Sequence, residues 1–255
     1  MTGGAGPRRD HADAATPRFD LDACSAAQLR TYLAAGAEVK ECLRVLAKGG
    51  DNIVGELLRG EGSFFEWDHY PRGDVYDPVT HAQYYYHAHP ESEERGEHGH
   101  FHTFLRSRGM LARVRPVVSK HLRAPSGPDA TLSHLVAISM DHYGVPVSLF
   151  TTNRWVTGEV WYAAEDVIAM LDRFAIDMAR PSWVVNRWIT AMLILFRPQI
   201  EALIRARDKR VAAWARQFPE RNPYDDHGLE ITSSQPISID AQIDAIDDAL
   251  SRPRR

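Results

Sequence analysis

Two cysteines in 255 residues, Cys24 and Cys42, are too few for a disulfide framework or a thiolate metal site. They fit a reducing compartment. Long apolar runs are also missing. The most apolar stretch, Trp183 to Phe196, is interrupted by Asn186 and Arg187 and is too short to span a bilayer. Near the N-terminus the pair Arg8-Arg9 is followed by no apolar run, so the middle region of an export signal is lacking. These features predict a cytoplasmic protein. Excess positive charge is absent as well: the net charge is -4, which gives no electrostatic ground for nucleic acid or an anionic membrane as partner. There is no G-x-S-x-G, no P-loop and no G-x-G-x-x-G, and neither cysteine has a histidine near it in sequence. Hydrolase and nucleotide chemistry built on those motifs therefore lacks support. No internal repeat is visible, which argues against solenoids and propellers.

What is present suits a soluble globular chain, with 44% hydrophobic and 25% charged residues. Residues 1–20 read as a disordered lead-in, 21–218 as a single domain, and 219–255 as a loop followed by a short acidic helix over 240–251. Ser25 caps a predicted helix through Leu46, Gly49-Gly50 stops it, and Asp51 is expected to cap a second, short one. Residues 63–162 are rich in aromatic and β-branched side chains. Leu132–Met140 and Val145–Thr151 form the clearest strand pair, joined by a turn over Asp141–Gly144. Helical spacing returns from Ala164, with a stripe through Met178. Another helix is capped by Ser182 and is broken or kinked by Pro198, and a last stripe runs to Phe218. Arg205, Arg207, Lys209, Arg210 and Arg216 on that last stripe read as a solvated face. Helices, then strands, then helices predict an α+β fold with a central, mostly antiparallel sheet, open or barrel-like, flanked by N- and C-terminal helices.

Histidine is where this chain concentrates its chemistry: five of its 12 histidines fall within 87–102. In His81-Ala-Gln-Tyr-Tyr-Tyr-His-Ala-His89 strand alternation puts Ala82, Tyr84, Tyr86 and Ala88 on one face. The other face carries His81, Gln83, Tyr85, His87 and His89. In His98-Gly-His-Phe-His-Thr-Phe104, His98, His100 and His102 share a face. The connection over 90–97 is short enough to make the two strands hairpin neighbours, whose facing side chains reach a common ion. His87, His89, His98, His100 and His102 are the expected ligands of a divalent transition metal, iron first and zinc next. Glu93, Glu94 and Glu97 are placed to add a carboxylate or to orient a ligand. Glu97, with Tyr85 on the histidine face, is the candidate for a catalytic role, and Arg154 the candidate for holding a substrate anion. The competing reading is an exposed hairpin that is merely rich in histidine.

Elsewhere the plainer readings prevail. His142 sits in a turn, and His134 lies on an apolar strand face as a hydrogen-bonded core residue. Trp155 and Trp161 fill the core between sheet and helices. His69, in Trp67-Asp-His-Tyr70, is a further candidate to join the site, with no spacing rule to support it.

Two resemblances follow from the quoted segments. His87-x-His89-x3-Glu93 is similar over a dozen residues to the first ligand motif of cupins, whose barrels hold iron, manganese, nickel or zinc. His81 stands where cupins carry a glycine, and no second motif is found. Glu97-His-Gly-His-Phe-His-Thr-Phe-Leu-Arg106 and Thr152-Asn-Arg-Trp-Val-Thr-Gly-Glu-Val-Trp-Tyr162 resemble a bacterial family known chiefly as a domain of unknown function, over residues 25–220. That resemblance implies no activity. The residues themselves point to a mononuclear non-haem metalloenzyme, oxidase- or oxygenase-like, acting on a small molecule. The alternative is a metal-storing, sensing or partner-docking protein that uses the same hairpin.

Overall fold

A computed structural model describes residues 17–89, 97–122, 127 and 131–252. Most of the expected lead-in, and both Glu93 and Glu94, lie outside the described residues. Ser25 caps α1 (Ala26–Lys48): its hydroxyl accepts from the Gln28 amide while the Gln28 side chain accepts from the Ser25 amide. The short α2 (Ile53–Leu58) is capped by Asn52 rather than Asp51, because the Asn52 carbonyl oxygen reaches the Gly55 amide. Asp51 accepts from the Asn52 amide instead.

Six antiparallel strands then follow in space the order they have in the chain. They are β1 (Tyr70–Tyr76), β2 (Ala82–Ala88), β3 (Gly99–Arg106), β4 (Leu132–Met140), β5 (Pro146–Thr152) and β6 (Ile231–Pro236). The Asp141 carbonyl closes the β4–β5 turn on the Gly144 amide. The sheet is open, with β1 and β6 at its edges, so the barrel-like alternative and the cupin architecture do not hold. β6 occupies a stretch expected to be loop.

Five helices complete the described elements: α3 (Arg154–Thr157), α4 (Ala164–Leu171), α5 (Trp183–Leu195), α6 (Arg197–Gln217) and α7 (Ile239–Ser251). The stripe expected through Met178 leaves the helix at Leu171; Phe174 and Ile176 are buried from irregular backbone beyond it. Pro198 stands in the first turn of α6, where a missing amide hydrogen costs nothing, so the break falls between α5 and α6. Among the described residues no helix is long and apolar enough to cross a membrane. The fold is α+β.

The two sheet faces differ in chemistry. Tyr84, Tyr86, Phe101, Val136, Ile138 and Leu149 belong to the large buried core shared with α1, α4, α5 and α6. Tyr84 donates to the Asn186 side chain at 2.6 Å, and Phe101 packs on Trp188 with ring centres 5.3 Å apart. The opposite face carries Tyr85 opposite His102 and His87 opposite His100. A connecting segment packs against part of it. This segment runs into β1: the Trp67 amide donates to Ala88 O at 3.0 Å, and the His69 ring lies on Tyr85.

Candidate metal centre

Strand pairing brings the histidines together. His87 and His100 are direct cross-strand partners, and their Nε2 atoms stand 2.7 Å apart. His89, one residue beyond the end of β2, has its ring centre 4.9 Å from that of His87 and 5.0 Å from that of His100. One ligand nitrogen from each of these three lies within 4.8 Å of the others, and together the three can hold a metal ion. His100 is buried and His87 and His89 are half-buried, with both ring nitrogens of His89 shielded from solvent.

Hydrogen bonding assigns the tautomers. Glu97 Oε1 lies 3.2 Å from His100 Nδ1. A carboxylate only accepts, so Nδ1 carries the proton and His100 Nε2 presents its lone pair. His87 must then donate through Nε2 to make the 2.7 Å contact. Two nitrogens bound to one tetrahedral zinc ion sit about 3.3 Å apart. Binding therefore requires a small parting of the two rings and a move of the His87 proton to Nδ1.

The two other expected ligands stand apart from this group. His98 Nδ1 hydrogen-bonds the Tyr86 hydroxyl at 2.5 Å, and its ring stacks on Phe64. It precedes β3 and is drawn to a tyrosine of the helix-covered face, so strand alternation does not extend to it. His102 shares the face of His100, with ring centres 4.7 Å apart, but it is fully buried and its Nδ1 is 3.0 Å from His134 Nε2. It therefore lines the inner side of the cluster without joining the three. Burial pushes the His102 imidazole well below its ordinary range and His134 down to about 3, so both stay neutral beside the triad.

Tyr85 lies against the cluster, its ring centre 5.6 Å from His87, and burial raises its hydroxyl above the usual phenol range. Arg154 ion-pairs with Asp225 on the loop before β6. His134 is a bonded core histidine, as expected, and Trp161 is buried in a second cluster with Val211, Trp214 and Leu229. Trp155 stacks on His227 at 4.2 Å. Arg207 departs from the solvated-face reading: it is buried, donates to Tyr162 O at 2.6 Å and lies 4.1 Å over the Trp161 ring.

Three further residues stand around the cluster, of which sequence reasoning named only His69. His69 is stacked flat on Tyr85 at 3.6 Å and hydrogen-bonds Asp74. Trp67 meets the His89 ring edge-on at 4.4 Å. Glu159 is fully buried behind His134, accepts from the His134 amide at 2.7 Å, and is pushed up to about 7 by burial. Its other oxygen has no hydrogen-bond partner among the described residues. No local spacing announces these three; only the resemblance segment 152–162 contained one of them, Glu159.

A cleft of about 840 Å³ lies elsewhere, between the residues leading into α1 and the basic side of α6, and no histidine lines it.

No curated protein and no solved structure matches the chain. A family model does match, over residues 33–237. Those residues span α1 to β6 and include every histidine of the candidate centre, and on that match the chain belongs to the DUF6969 family, a domain of unknown function.

Proposed function

We propose that this chain is a mononuclear metalloenzyme whose divalent transition metal is held by His87, His89 and His100. The observation that carries the reading is the convergence of three imidazoles, two of them half-buried, on a sheltered sheet face. Three protein ligands leave the fourth position of a tetrahedral ion for water or substrate, which suits a working centre rather than a closed structural one. Glu97 supports it from outside the ligand group, holding the His100 proton on Nδ1 so that Nε2 faces the site. In the sequence, Tyr and Glu near an imidazole-rich β site favour iron. With Glu97 engaged by His100, the donor set becomes three imidazoles, and the preference moves to zinc. An ion with an open position supplies Lewis acidity and lowers the pKa of bound water toward neutrality. The chain's own residues hold the ion, fix the His100 tautomer through Glu97, and exclude water on the inner side with neutral His102 and His134.

Elemental analysis of full-length protein purified without a histidine tag tests the reading. About one equivalent of metal is expected in the native chain and less than about a tenth in His87→Ala and His100→Ala. His98→Ala, which changes a residue outside the three, retains it. Glu97→Ala weakens metal binding by about 10- to 100-fold. Native protein that takes up no metal, or stoichiometric metal in folded His87→Ala and His100→Ala, overturns the assignment.

A further inference from the structure

Aromatic residues flank the triad. Trp67 touches the His89 ring edge-on at 4.4 Å, and its amide is tied to Ala88 O at 3.0 Å, which fixes the indole beside the rim. Phe65 and Trp67 are nevertheless 56% and 55% exposed, so most of their apolar surface gains nothing from the fold. Trp67 also adopts a left-handed backbone, φ +70°, which a bulky side chain does not take up without cost. A strained, half-open indole against a ligand histidine is a feature that packing alone leaves without a reason. The flat His69–Tyr85 stack at 3.6 Å stands next to His87, and on the sheet Phe150 meets the His100 ring edge-on at 5.0 Å. Flat π surfaces thus flank the triad from the rim and from the sheet.

Charge narrows the guest further. Among the described residues, Glu97 is held by His100 and Asp74 by His69 and Gln83. Arg106 donates to the Gln83 side chain at 2.6 Å, and Arg154 is paired with Asp225. Among the described residues these two arginines are held by neighbours, and the polar end of a guest is expected to meet the metal.

Resting on the metal reading above, we propose that the substrate is a small molecule with an aromatic ring and an adjacent oxygen donor. The donor binds the metal, and the ring stacks on Trp67 at the rim. Aromatic stacking of this kind contributes roughly a ten-fold preference.

The test uses the full-length chain loaded with cobalt(II), whose visible spectrum reports its coordination. Benzohydroxamate and acetohydroxamate are the probes, since they present the same metal-binding group with and without a ring. Binding is followed by the cobalt bands and by indole fluorescence, and cobalt content is measured after desalting. Benzohydroxamate is expected to bind about ten-fold more tightly. Trp67→Ala should abolish that preference with cobalt content unchanged, while Trp67→Phe retains it. Cobalt uptake with equal affinities for the two probes, or a preference that survives Trp67→Ala, overturns this inference and leaves the metal reading standing. Failure to take up cobalt overturns both.

Discussion

Glu159 shows how a single buried group couples the site to pH. Burial raises its carboxyl to about 7, against the pull of Arg207 and the His134 amide hydrogen bond. Below the unfolded carboxyl value both states are protonated and there is no penalty. As pH rises through the window up to about 7, the unfolded chain ionises while the folded one keeps its proton, so stability falls. Glu159→Gln keeps an oxygen for the His134 amide and removes the ionisation. Its stability relative to the native chain should grow with pH, reaching roughly 3 kcal/mol above neutrality. Urea unfolding at pH 5 and pH 8 measures this, and a gap that is the same at both values refutes it. The residue could not be found from local pattern, because its partner stands 25 positions away in sequence. His87 and His100, by contrast, were legible, since alternation alone puts them on one face of neighbouring strands.

The β2–β3 hairpin is the element that sets the centre, and one glycine holds its two strands close. A Cβ at Gly99 would lie 2.4 Å from His87 O and 2.6 Å from the Tyr86 hydroxyl oxygen, the first of them backbone that cannot swing away. Gly99→Ala must therefore push β2 from β3 at the pair that brings His87 to His100. A loss of about 1–3 kcal/mol is expected, together with weakened metal binding, read by thermal unfolding and by metal titration. Unchanged metal affinity in this variant would mean that the strand spacing does not set the site. Element boundaries were readable where a side chain marks them, as at Ser25, Ser182 and Pro198. They were not readable where tertiary contact decides. β6, Ile-Thr-Ser-Ser-Gln-Pro, has little apolar alternation. It is held by β5 and by hydroxyl contacts such as Thr151 with Ser233 at 2.6 Å, and Ser233 also donates to Leu203 O. The helix expected through Met178 failed for the opposite reason. Phe174 and Ile176 continue an apolar spacing because the core takes them from a loop.

At the scale of the whole molecule, helices cover one sheet face, and the segment leading into β1 packs against the histidines on the other. This division makes the C-terminal segment structural. β6 pairs with β5, and Ile246 and Ala249 of α7 belong to the main core. Gln242 is buried, with its side chain on Leu195 O at 3.1 Å, and Gly36 of α1 gives Ile243 room to approach, a Cβ there falling 2.7 Å from it. A boundary at residue 218, natural from the polar composition beyond it, therefore cuts through the fold. Ending the chain at Gln217 bares the β5 edge and removes core side chains. Loss of the cooperative thermal transition is expected, with aggregation on size-exclusion chromatography. Ending it after Ile237 keeps β6 but removes α7. That variant should still fold and bind metal, with stability lower by several kcal/mol from the lost apolar burial. A folded, metal-binding fragment ending at Gln217 would show that the sheet carrying the histidines stands without its sixth strand.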